Sequence, residues 1–177
     1  ITVQKEAESE FIRKNHFLSF AERITKMGNW QWDLTTNNVI WSSNLYNIFG
    51  VDKNSKITFD TYFGLVHPED KDRVTKHIEI SFENKKFKEL THRIQLIDST
   101  VKTVQLLAEI ITDNLGNSIE VIGSCQDITK QKMEENKFRG LLESAPDAMV
   151  IVNEKGKIQL INKQAENLFG YRFDELF

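Results

Sequence analysis

Residues 158–170, IQLINKQAENLFG, restate residues 39–50, VIWSSNLYNIFG, and this echo limits the possible folds more than any other feature of the chain. A shift of 120 residues lays Phe49 and Gly50 over Phe169 and Gly170, and the register then runs backward without a gap. Leu45 falls on Ala165, Ser42 on Asn162, Ile40 on Leu160, Asp33 on Asn153, and Trp30 and Trp32 on Val150 and Val152. Identity is low, so the matched spacing of apolar positions carries the comparison. Each copy shows apolar alternation, a polar turn (LTTNN or NEKGK), alternation again, and a short helical pattern closed by glycine. That is a β-hairpin followed by a short helix. A period of this size belongs to domains rather than to solenoid repeats. The 177 residues therefore predict one complete unit and the opening third of a second.

Twelve Phe and three Trp, in a chain that is 40% apolar, supply one sizeable core. A net charge of −3 gives no basic face for a nucleic acid. Cys125 is the lone cysteine, so it forms no internal disulfide and no cysteine-clustered zinc site, and it points to a reducing compartment. No apolar run approaches the ~20 residues that span a bilayer, and the start carries no signal-peptide pattern. These features predict a cytoplasmic segment without nucleic-acid or membrane contact.

The complete unit is expected to open with an amphipathic helix over 4–27, with Ala7, Phe11, Leu18 and Ala21 on one stripe and Glu10–Lys14 and Glu22–Lys26 as pairs one turn apart. Strands follow at 29–34 and 38–42, a short helix at 43–49, and less regular chain over 50–66. Pro68 and the acidic residues after it start a longer helix whose buried stripe is Val74, Ile78 and Phe82, with His67 as its cap. Strands at 87–97, 101–112 and 118–127 close the unit through the turns IDST and DNLGN. A charged helix over 129–144, ended by Pro146, comes next.

The segments GNWQWDL, HPEDKDRV, THRIQLIDSTVKTV and GSCQDITKQK, spread over residues 29–132, resemble the PAS (Per-Arnt-Sim) sensor family in content and order. Asp127-Ile128-Thr129, followed by Lys and Gln, is the most specific of these marks. Residues 144–171 resemble a second PAS start, in agreement with the repeat. The resemblance implies an α+β fold, with a five-stranded antiparallel sheet, helices on one face and a cleft between them. It also implies a place in a larger signalling protein, most often a bacterial sensor histidine kinase. The expected organisation is a linker helix at 1–27, a complete PAS domain at 28–128, an outgoing helix at 129–145 and the start of a second PAS domain at 146–177.

Asp127 and Thr129 are cap residues, suited to a strand that turns directly into a helix. That helix has the pairs Lys130–Glu134 and Glu135–Arg139 and a sparse apolar set, Ile128, Phe138, Leu141 and Leu142. Such a set suits a two-helix seam, although Glu135 sits awkwardly within it. Asp127, Ile128 and Thr129 are therefore the expected signal-transmission residues, against the plainer alternative of an inert spacer. The flanking helices are expected to support a homodimer.

Candidates for the cleft are Trp32, Trp41, His77, His92 and Cys125. In heme-binding relatives the axial histidine comes from the helix that holds His77, although a part-exposed helix histidine is the plainer reading. His92 alternates with Leu90 and Ile94 and is read as a hydrogen-bonded residue at the sheet face. His16 is expected in solvent. Light-sensing relatives carry an NCRFLQ-like segment that this chain lacks, so flavin photochemistry is not expected and Cys125 reads as a packing residue. The small residues Gly123, Ser124 and Cys125 either leave room for a ligand or receive a large neighbour such as Trp30, Trp32 or Phe63. No phosphate-binding loop, metal-spaced cluster or nucleophile motif is present, so no catalytic or metal residue is assigned.

Residues and resemblance together predict a sensory relay module joined to a downstream output domain, in a histidine kinase of a two-component phosphorelay, with no bound cofactor. Two alternatives stand beside it. One is a receptor for a small organic molecule or heme in a cyclase, phosphodiesterase or transcriptional regulator. The other is an enzyme fragment whose activity lies in the second unit, whose strand edges call for cover from another chain or from the first unit.

Overall fold

The computed structural model describes residues 2–172, and the chain divides into two units at residues 129 and 130. The last expected residues, 173–177, and the side chains of Ala7 and Phe11 lie outside the described residues.

The first unit begins with helix α1 (Thr2–Thr25) and strands β1 (Met27–Asp33) and β2 (Asn38–Trp41). Two short helices follow, α2 (Ser43–Phe49) and α3 (Phe59–Leu65). A 3₁₀ turn (Pro68–Asp70) leads into α4 (Lys71–Glu83), then come β3 (Leu90–Gln95), β4 (Val101–Thr112) and β5 (Ser118–Asp127). The strands form one antiparallel sheet in the order β2-β1-β5-β4-β3. Alternation decides its faces: Trp30, Trp41, Val121, Cys125, Leu106, Leu90 and Ile94 share the side covered by helices, where Leu45, Phe49 and Val74 complete the core.

Several elements differ from the sequence expectation. α1 stops at Thr25 because Lys26 takes a left-handed conformation (φ 51°), so Glu22 binds Asn29 Nδ2 at 2.6 Å instead of pairing with Lys26. Lys14–Glu10 does form, at 3.2 Å. Leu18 is exposed on α1, as are Phe17 and Ile24. Residues 59–65, expected to be irregular, are helical. Their capping box uses Thr58 and Thr61, where the usual acidic partner is missing. His67 caps the 3₁₀ turn, its Nδ1 accepting from the N–H of Glu69 at 3.3 Å. Among the described residues, no helix is long and apolar enough to cross a membrane.

Helix α5 (Thr129–Ser144) starts on the last residue of the first unit and otherwise belongs to the second, which also contains strands β6 (Val150–Val152) and β7 (Ile158–Ile161), paired antiparallel, and helix α6 (Lys163–Phe169). On α5, Leu142 is buried while Phe138 and Leu141 are exposed. Lys130–Glu134 forms at 3.6 Å, but Glu135 pairs with Lys132 at 2.7 Å rather than with Arg139. The repeat read from sequence is physical, since α2 and α6 both end on a left-handed glycine, Gly50 (φ 64°) and Gly170 (φ 74°).

Candidate functional site

β1, β5 and β4 floor a cleft roofed by α2, α3 and α4, and the apolar space left inside it is about 60 Å³. Aromatic side chains account for how little is left. Trp32 stacks on Phe59 at 4.9 Å and meets Phe82 edge-on, while Trp41 stacks on Phe49 at 4.9 Å. The Trp32 indole N–H donates to Asn37 Oδ1 at 2.9 Å, which fixes the ring from the hairpin turn. Organic ligand sites usually enclose ~300–1,000 Å³, so this volume suits at most one or two water-sized bodies in a lining that is almost wholly apolar.

Of the expected cleft residues, Trp32, Trp41 and Cys125 line this space, while His77 and His92 do not. His77 Nε2 lies 2.9 Å from the carbonyl of Lys88 and its ring meets Phe87, a residue of the cleft lining, edge-on. A heme therefore does not fit these residues: among the described residues no histidine lines the space, and the volume is far too small. His92 is buried on the sheet face beside Leu90 and Ile94, its Nε2 3.1 Å from the Tyr62 hydroxyl and its Nδ1 without a partner. Burial holds its pKa down at about 4, helped by the charge of Arg73, so the imidazole is neutral near pH 7. Burial likewise pushes the Cys125 thiol up, away from the reactive thiolate.

The other expected site, Asp127-Ile128-Thr129, is a bonded junction. β5 ends at Asp127 and α5 starts at Thr129, leaving only Ile128 between them, and Ile128 is buried. Asp127 Oδ1 accepts from the N–H of Thr129 at 3.0 Å and from its hydroxyl. Thr129 Oγ1 accepts from the N–H of Thr103 at 3.0 Å, and the N–H of Ile128 donates to the Thr103 carbonyl at 2.9 Å. The start of the outgoing helix is thus stitched into β4. The end of α1 meets the same place: Gln126 Nε2 donates to the carbonyl of Thr25 at 2.9 Å and the N–H of Asp127 to that of Lys26 at 3.0 Å.

Residues 38–125 match the family described as PAS fold, and residues 136–176 match a second one, described as PAS domain. The chain belongs to the PAS family. Sensor protein FixL of Bradyrhizobium diazoefficiens is 26% identical to it over 152 residues, 82% of this chain and 30% of that protein. The probable diguanylate cyclase DgcE of Escherichia coli is 23% identical over 165 residues, 89% of this chain and 15% of that protein. The chain thus spans less than a third of these relatives. Among solved structures, a sensory box histidine kinase/response regulator from Burkholderia thailandensis superposes with a TM-score of 0.59 at 20% identity, covering 70% of this chain and 93% of that one, a likeness of fold.

Sequence reasoning missed one residue of the PAS junction, Lys102. Its Nζ donates to the carbonyl of Ile48 at 2.6 Å and stands 3.7 Å from Asp127 Oδ2, linking α2, a wall of the cleft, to the exit. The signal was present in the alternation of β4, where Lys102 occupies the inward parity shared by Val104, Leu106 and Ile110. A charged residue at an apolar position calls for a buried partner.

Proposed function

We propose that this PAS chain relays conformational change, and supports dimerisation, within a cytoplasmic sensor histidine kinase. Movement of the sheet passes through Asp127, Ile128 and Thr129 into α5 and on to a downstream output domain. The observation that carries this reading is the junction itself: one buried residue separates strand from helix, and hydrogen bonds from both sides leave no slack. A helix attached in this way shifts or rotates when its strand does. A cleft filled by its own aromatic rings favours a relay over a receptor for an organic molecule. The exposed Phe17, Leu18 and Ile24 of α1 support pairing with a second copy. The relative named as a diguanylate cyclase supports a second reading of the output, in which the same relay serves a cyclase.

The test perturbs the cleft and reads the exit. Ile78→Ala enlarges the cleft wall and is expected to speed amide exchange in residues 129–132 several-fold, a response that Thr129→Val abolishes. Unchanged exchange at 129–132 in the folded Ile78→Ala protein would refute the relay. A purified chain with visible absorption, or one that releases an organic molecule to mass spectrometry, would favour the receptor. A monomer at high concentration in light scattering would remove the dimer.

A further inference from the structure

The helix that enters each unit ends against an asparagine amide. In the first unit, Asn44 Nδ2 donates to the carbonyl of Glu22, 3.0 Å away in the last turn of α1, and to that of Met27, 2.7 Å away at the start of β1. In the second, Asn162 Nδ2 donates to the carbonyl of Leu142, 3.0 Å away in the last turn of α5, and to that of Asp147 at 2.9 Å, ahead of β6. In both cases the two carbonyls are five residues apart. Last-turn carbonyls lack the N–H of the next helical turn, the Leu142 carbonyl having besides the amide only the N–H of Ala145 at 3.3 Å among the described bonds. One amide nitrogen carries two donors, enough to hold the helix end and the following strand at once.

A second set of bonds repeats at the 120-residue shift. Ser42 Oγ accepts from the N–H of Asn29 at 3.0 Å while the N–H of Ser42 donates to the Asn29 carbonyl at 2.8 Å. In the same register, Asn162 Oδ1 accepts from the N–H of Met149 at 2.9 Å, and the N–H of Asn162 donates to the Met149 carbonyl at 3.1 Å. Asn162 also caps α6 through the N–H of Ala165 at 3.0 Å and is wholly buried. One buried amide in the second unit therefore does what Ser42 and Asn44 share in the first. The register equivalent of Asn44 is Gln164.

We propose that this amide clamp is where helix movement enters each unit, with Asn44 and Asn162 as the positioning residues that fix the incoming helix to its hairpin. The inference rests on the relay reading above and extends it from exit to entry: α5 leaves the first unit at Thr129 and is grasped by the second at Asn162.

Asn162→Ser deletes the clamp but keeps the strap to Met149, because a serine already makes that strap in the first unit. Asn162→Ser/Gln164→Asn rebuilds the first unit's arrangement in the second. Amide exchange is read on the entire chain at residues 143–148 and across the β6–β7 hairpin. The single variant is expected to speed exchange at 143–148 by about tenfold or more, the scale of a lost buried hydrogen bond, while the hairpin stays within about threefold of the native rate. The double variant returns 143–148 to near the native rate. Unchanged exchange at 143–148, equal loosening of the hairpin, or failure of the double variant to restore protection would each overturn the clamp. Those results leave the Ile78→Ala response at 129–132 untouched, so the relay reading survives them. If that response is lost while Gln164→Asn still rescues, the relay falls and the proposed entry of movement falls with it, leaving only a structural strap.

Discussion

Trp30 lies across Gly123 on the helix-covered face of the sheet, so closely that a methyl group at Gly123 would stand 2.6 Å from Cζ2 of the indole and 2.5 Å from the carbonyl oxygen of Leu107. The two residues are register partners on β1 and β5. The small side chains at 123–125 are thereby explained in part: glycine makes room for a ring, and with Trp30 in place little of the cleft stays open.

Gly123→Ala is therefore expected to destabilise the chain by about 1–3 kcal/mol, because one of the two close neighbours is backbone and cannot rotate away. Urea unfolding reads this as a lower midpoint at an unchanged slope. Adding Trp30→Phe should recover part of the loss, and a double-mutant cycle measures the coupling.

Asp70 fastens the turn before α4 to β3. Its Oδ2 accepts from the N–H of Arg93 at 2.7 Å and from Nε at 3.2 Å, and its Oδ1 from Nη2 at 2.7 Å. These bonds, the side-chain ones foremost, hold the carboxyl at a pKa of about 2. A folded pKa below the unfolded value stabilises the fold above about pH 4, and the stabilisation is lost as pH falls toward 2. Asp70→Asn should cost on the order of 2 kcal/mol at neutral pH and flatten the stability curve in that window.

His92 acts in a higher window. Its folded pKa of about 4 lies below the ordinary 6.5, so the unfolded chain binds the proton first, and stability drops as pH falls from 6.5 to 4. Arg73 and His77 oppose its protonation and Asp70 favours it. His92→Gln should remove most of this slope, a change on the order of 3 kcal/mol between the two ends, read by denaturant unfolding at each pH. An imidazole that titrates near 6.5 in the folded protein by NMR would contradict the burial argument.

Thr58→Ala removes one half of the box that starts α3, with an expected cost of about 1 kcal/mol. Phe59 and Tyr62 ride on this helix, so near-ultraviolet circular dichroism should change along with the unfolding midpoint. A variant as stable as the native chain would show that packing alone sets the helix.

Much of the architecture was legible in the residues. β4, β5, α2 and α5 lie at their expected bounds because alternation, turn chemistry and a closing glycine are local signals. α3 was missed because Thr, Phe and Tyr are weak helix formers when read alone, and the reciprocal Thr58–Thr61 bonds that cap its start lack the usual acidic signature. The candidates for the cleft divide in a similar way. Trp32, Trp41 and Cys125 line the space, whereas His92, which shares the inward strand parity, and His77, on the flank of its helix stripe, do not.

The sequence by itself determined a repeated hairpin and helix, the order of strands along the chain, and a capped passage from the last strand into an outgoing helix. These depend on neighbours a few residues apart. Tertiary structure alone decided how full the cleft is, that Lys102 reaches Ile48 and Asp127, and that one buried asparagine does in the second unit what two residues share in the first. Each of these depends on how close residues distant in sequence come once the sheet closes, a separation that neither periodicity nor composition encodes.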